Sequence, residues 1–143
     1  MHWTPAQLAR LAYETGGFRG KDLRIAVRMM LGESGGHDDI VNTNKDGSID
    51  RGLWQFNTRF FPNISNRTAF DPYASTYAAR KTFDSVGWKP WKVDNYHARF
   101  DGQARAAVKA AGLEGASGGA GAAQLASGAL LALVGFAVWR LSR

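Results

Sequence analysis

The chain contains no cysteine. A disulfide framework and a thiolate metal site are therefore excluded, and any fold must rest on its apolar core without needing an oxidising compartment. There is no zinc-finger spacing, no RNA-recognition signature and no run of lysine and arginine, so nucleic acid is not expected as a partner despite the formal charge of +6. The opening Met1-His2-Trp3-Thr4-Pro5 lacks a basic stretch leading into an apolar one, so no secretory leader is expected. Histidine is scarce too. His2, His37 and His97 show no ligand spacing and no neighbouring Ser or Cys nucleophile, which makes them surface or hydrogen-bonded core residues. Neither a metal nor a cofactor is expected.

A length of 143 residues gives room for one small domain and an appendage. After residue 112 the only charged side chains are Glu114, Arg140 and Arg143, so the basic character belongs to residues 1–112. A basic surface favours acidic lipid headgroups and anionic wall polymers as much as nucleic acid, and by itself selects none of them.

Thr4 before Pro5, with Gln7 at the third helical position, reads as an N-cap, a proline at N1 and part of a capping box. A first helix to about Thr15 follows, stopped by Gly16-Gly17. Leu23, Ile25, Ala26, Val27, Met29, Met30 and Leu31 make the next helix, from near Asp22, apolar around much of its circumference, as a central helix must be. Gly35-Gly36 ends it just after Glu33. Turn residues at Asn44 and Asp46-Gly47, flanked by Val41, Ile49 and Phe56, predict a small antiparallel sheet within residues 41–57. Asp71-Pro72 caps a helix through about Ser85, and another is expected over residues 101–111.

Composition then shifts. Residues 113–121 form a linker that becomes purely Gly, Ala and Ser from Gly115. Residues 122–139 carry no charge, and 18 residues suffice for a transmembrane helix, which needs about 17 to 25. Trp139, Arg140 and Arg143 suit the interface beyond it, with residues 140–143 as a basic tail. Charges flank the span on both sides, so its orientation is not set. The alternative for 122–139 is a buried C-terminal helix. Gly121, Gly128 and Gly135 recur every seven residues and share one helical face, which suits self-association or packing on another membrane protein.

Two carboxylates carry the chemistry. Glu33 stands at the helix end, and Asp50 follows within the segment from Asn44 to Asn57. Cleaving a glycosidic bond needs an acid to protonate the leaving oxygen and a carboxylate facing the developing oxocarbenium ion. A helix end facing a hairpin can supply both. Asn42, Asn44, Asp46 and Gly47 imitate positions 1, 3, 5 and 6 of a calcium-binding loop, but position 12 is Leu53 rather than the bidentate glutamate, which argues against calcium.

The segment from Asn44 to Asn57 resembles the active-site hairpin of c-type lysozymes. The wider pattern is similar to the lysozyme-like and lytic transglycosylase superfamily: Glu33-Ser34-Gly35 as the catalytic helix end, Arg59-Phe60-Phe61 as the following Arg-aromatic-aromatic step, Ala78-Ala79-Arg80-Lys81 as a later helix, and Trp88 and Trp91 as a tryptophan-rich lip. Glu33 and Asp50 have the family's spacing, and the match covers roughly residues 5–111. The resemblance implies a mainly helical α+β domain over residues 1–112 with a small β-hairpin at the cleft. It implies Glu33 as general acid, kept protonated by apolar surroundings with Trp88 as neighbour, and Asp50 as nucleophile or electrostatic stabiliser. Asn44, Gln55, Asn57, Arg59, Phe60, Phe61, Trp88 and Trp91 fall where substrate is bound or the carboxylates are held. Trp54 stands where the family has an aliphatic residue and reads as core. The family's cysteines are missing here, the stretch between Phe61 and Trp88 is compact, and the tail has no counterpart.

The activity so implied is that of a muramidase cutting the MurNAc-GlcNAc β-1,4 bond of peptidoglycan, with a lytic transglycosylase or a non-catalytic glycan-binding virion protein as alternatives. A wall enzyme with a C-terminal anchor and no leader points to a bacteriophage setting, membrane-anchored in a virion and acting on the host envelope during genome delivery. Lysis at the end of infection is the rival setting.

Overall fold

A computed structural model describes residues 1–91 and 95–115. Its elements are helix α1 (Pro5–Glu14), helix α2 (Gly20–Ser34), strands β1 (Val41–Thr43) and β2 (Ile49–Arg51), helices α3 (Asn66–Phe70) and α4 (Pro72–Val86), a 3-10 turn (Lys89–Trp91), and helices α5 (Asn95–Ala98) and α6 (Asp101–Ala110). The α+β reading holds: the described residues are mostly helical, with one two-stranded antiparallel sheet pairing Val41 with Arg51, Asn42 with Asp50 and Thr43 with Ile49.

The capping box at Thr4 is complete. Gln7 N–H donates to Thr4 Oγ1 (3.3 Å) and Thr4 N–H to Gln7 Oε1 (2.8 Å), which satisfies two otherwise orphaned donors of α1. The helix buries Leu8, Ala9, Leu11, Ala12 and Tyr13 against α2 and α6. Helix α2 begins at Gly20, before the expected Asp22. Its N-cap, Arg19, makes no side-chain capping bond, so no sequence signal marks that start. As expected of a central helix, α2 buries Leu23, Ile25, Ala26, Val27, Met29, Met30 and Leu31 and packs on α1, α5 and α6.

A second part of the core is aromatic. Trp54 and Phe56, wholly buried on the segment after β2, meet Phe18, Phe83, Trp88 and Trp91 in a network of stacked and edge-on rings. Trp54 is core, as its sequence position indicated, and its Nε1 donates to the buried Thr76 hydroxyl (3.0 Å). Gly52, at φ +71°, lets this segment close on α3: a Cβ there would fall 2.0 Å from the Ala69 carbonyl oxygen. Asp71 caps α4 as expected, accepting from Ala74 N–H (2.7 Å), with Pro72 at the first helical position. Three short helical pieces were not anticipated: α3, the 3-10 turn and α5. None exceeds five residues, too short for apolar periodicity to emerge.

Among the described residues no helix is long and apolar enough to cross a membrane. The expected span at 122–139 and the glycine face at Gly121, Gly128 and Gly135 lie outside the described residues.

Candidate active site

Glu33 occupies the last turn of α2. The helix stops because Gly35 takes the left-handed conformation (φ +61°) and returns its N–H to the Leu31 carbonyl (2.9 Å). Buried Ser34 secures the exit, donating to Met30 O (2.9 Å) and accepting from Gly36 N–H (3.2 Å). The amino-terminal segment clamps the connection beyond. Trp3 N–H donates to Gly36 O (2.8 Å), Trp3 Nε1 donates to Asp38 (2.9 Å), and the exposed rings of His2 and His37 stack at 4.4 Å. Glu33 therefore projects from a helix end fixed on both sides. Its side chain is 23% exposed, and the Nε2 of His97 lies 3.1 Å from its Oε1.

The connection runs into the hairpin, where Asp50 sits half-buried on β2. Asn57 Nδ2 donates to Asp50 Oδ1 (2.7 Å) and Asn44 Nδ2 to Asp50 Oδ2 (3.0 Å), so one amide engages each carboxyl oxygen. The same amides reach Ser48 Oγ, at 3.3 Å from Asn44 and 2.9 Å from Asn57. Ser48 in turn donates its hydroxyl to Asp46 (2.6 Å). That bond, the Ser48 backbone N–H and the Arg59 guanidinium (3.2 Å) hold Asp46 at a pKa of about 2. A continuous polar network thus runs from the exposed turn to Asp50.

The other expected site residues divide by environment. Phe60 is 74% exposed, and exposed Arg59 reaches back to Asp46. Phe61 is partly buried with its ring edge-on to Phe56 (4.9 Å). Gln55 is buried inside the segment: its Oε1 accepts from Asn42 (2.6 Å) and its Nε2 donates to Gly52 O (2.8 Å). It is the only positive-φ residue other than glycine among the described residues, at φ +50°, and these bonds hold that strained backbone. Trp88 packs on Phe18 and Phe83 and donates to Asp22 (3.1 Å), while Trp91, 4% exposed, donates to the Trp54 carbonyl (3.0 Å). Both tryptophans are tied into the aromatic core.

Sequence reasoning missed two residues here. His97, read as a surface or core histidine, is buried as a core residue would be, but its ring meets Glu33 from a short helix 64 positions away. Arg51, not singled out in the sequence, is buried. Its guanidinium donates to Phe56 O (3.0 Å), Ile64 O (2.9 Å) and Asn66 Oδ1 (2.8 Å), stapling the hairpin to the chain after it, and burial lowers its pKa. Among the described residues no group of three or more His, Asp or Glu is arranged to hold a metal ion.

A family model described as a lysozyme-like domain matches residues 9–93. The chain belongs to the lysozyme-like domain family. The matched region runs from α1 through the 3-10 turn and contains Glu33, the hairpin and both tryptophans. No curated protein was found to match the chain. Membership in the lysozyme-like family supports peptidoglycan degradation of the lysozyme or lytic transglycosylase kind, with peptidoglycan as the substrate bound.

Proposed function

We propose that this lysozyme-like domain is a muramidase that cleaves the MurNAc-GlcNAc β-1,4 bond, with Glu33 as general acid and Asp50 as the partner carboxylate. The observation that carries the reading is the doubly held Asp50, oriented by Asn44 and Asn57 on the hairpin that follows the Glu33 helix end. Family membership alone would not choose the reaction. Glu33 gives its proton to the glycosidic oxygen as the bond to C1 breaks. Asp50 stabilises or captures the oxocarbenium ion, and Glu33, now a carboxylate, takes a proton from the water that completes hydrolysis. Exposed Phe60 offers a ring face to a sugar, and Arg59 offers a cation to the acidic substituents of the wall.

A second reading is favoured by the same bonds read differently. Both Asp50 oxygens are engaged by side-chain amides within the hairpin, as they would be if Asp50 only locked the turn. A lytic transglycosylase needs Glu33 alone, because the MurNAc C6 hydroxyl closes on C1 in place of water.

Mass analysis of muropeptides released by the full chain separates the two. The muramidase leaves reducing ends, loses activity in Glu33→Gln by at least about 100-fold, and loses it in Asp50→Asn. Products with 1,6-anhydro ends, each one water lighter, together with an active Asp50→Asn, select the transglycosylase. Near-wild-type turnover by Glu33→Gln overturns both.

The apolar composition of residues 122–139 supports a membrane anchor, and a bacteriophage particle that opens the wall during genome delivery is the setting this reading favours. Full-length protein that stays in the aqueous phase on detergent partitioning would refute the anchor.

A further inference from the structure

A chemistry-bearing side chain outside the hairpin, His97, meets Glu33. His97 belongs to α5, which packs on α2, and its side chain is only 8% exposed. Its Cδ2 would lie 2.4 Å from a Cβ placed on Gly32, so the imidazole rests against the bare backbone of the residue before Glu33. Only a glycine at 32 leaves that space. From there Nε2 reaches Glu33 Oε1 at 3.1 Å. The arrangement therefore has two parts, a notch in the helix and a ring seated in it.

We infer that His97 is a positioning residue for Glu33, holding one carboxyl oxygen so that the acidic proton resides on the other. The inference rests on Glu33 being the acid and holds for the hydrolase and transglycosylase readings alike. An unrestrained glutamate at a helix end samples several rotamers, and a general acid works only from the geometry in which its proton meets the leaving oxygen. With its hydrogen on Nε2, the imidazole donates to Oε1. The proton of the acid then sits on Oε2, and the same N–H···O bond persists after Oε2 has given that proton away.

The test measures kcat and KM on soluble glycan strands for His97→Ala, His97→Gln, Gly32→Ala and Glu33→Gln in the full chain, with melting curves for each. His97→Ala should lower kcat about 10- to 100-fold with KM within about twofold, as expected when an interaction orients the reacting group without binding substrate. Added imidazole should restore part of that kcat, and His97→Gln, which keeps an N–H donor, should retain most of it. Gly32→Ala should lower kcat comparably by displacing the ring, and it serves as the readout if His97→Ala does not fold. The inference is overturned if folded His97→Ala or Gly32→Ala turns over like wild type. It is also overturned if the loss is in KM, or if neither imidazole nor Gln restores kcat. An active Glu33→Gln instead overturns the assignment of the acid, a separate result.

Discussion

Asn57 Nδ2 lies 2.7 Å from Asp50 Oδ1 and 2.9 Å from Ser48 Oγ, while Asn57 Oδ1 accepts the Arg59 backbone N–H at 2.8 Å. One buried amide thus ties the carboxylate on β2 to the turn before it and to the segment carrying Phe60. Asn57→Ala should lower stability by about 1–3 kcal/mol, the usual cost of leaving buried polar partners unpaired. It should also lower kcat, because Asp50 loses one of its two holders. Urea unfolding paired with turnover on glycan strands measures both, and an unchanged midpoint would show that the network carries no stability.

The elements legible in the sequence are those whose signals are local. Thr4, Pro5 and Gln7 lie within one turn of each other and announced α1, Gly35 announced the end of α2, and Asn44 with Asp46-Gly47 announced the hairpin. Helix α3 depends on one short cap, Ser65 accepting from Thr68 N–H, and its five residues display no face. The site was legible to the same degree. Glu33 and Asp50 stand on elements with strong local signals. The His97 contact depends on how α5 packs on α2, and the burial of Arg51 on carbonyls supplied by residues after the hairpin, so neither could be read from spacing.

Trp91 tests whether an aromatic near the hairpin serves the core or the substrate. It is 4% exposed, donates to the Trp54 carbonyl and sits edge-on to Trp54 and Phe56. Trp91→Ala should therefore cost about 3–5 kcal/mol of stability, the range for deleting a large buried aromatic. Phe60→Ala, at an exposed ring, should leave the melting temperature within a degree or two and raise KM on glycan strands. The reverse pattern would make Trp91 the sugar platform.

Asp46 gives the hairpin a defined acid response. Hydrogen bonds from the Ser48 hydroxyl and backbone and from Arg59 lower its pKa from 3.8 to about 2. A carboxylate depressed on folding contributes stability above its unfolded value, and that contribution is lost as pH falls through the folded one, here between about 4 and 2. Carboxyl-carbon NMR should show Asp46 titrating near 2, and Ser48→Ala should move it back toward 3.8. A midpoint unmoved by Ser48→Ala would assign the depression to another cause.

Asp101 closes the helical half of the molecule by gathering three arginines: Arg24 (3.1 Å) and Arg28 (3.5 Å) from α2 and Arg105 (3.0 Å) from its own helix α6. Burial alone would raise its pKa. The Arg105 hydrogen bond and the charges of Arg24, Arg105 and Arg28 outweigh that and lower it. Asp101→Asn removes the one anion and leaves three cations facing one another, two of them on the helix that carries Glu33. The carboxylate is 27% exposed, so the loss should fall between the roughly 0–1 kcal/mol of a surface pair and the roughly 3–5 kcal/mol of a buried one. Its salt dependence identifies the cause. If repulsion among the arginines dominates, raising salt toward 1 M should recover much of the deficit relative to wild type, since the screening length falls to about 3 Å. A deficit that is the same at low and high salt would mean that lost hydrogen bonding, rather than uncompensated charge, is what Asp101 prevents between α2 and α6.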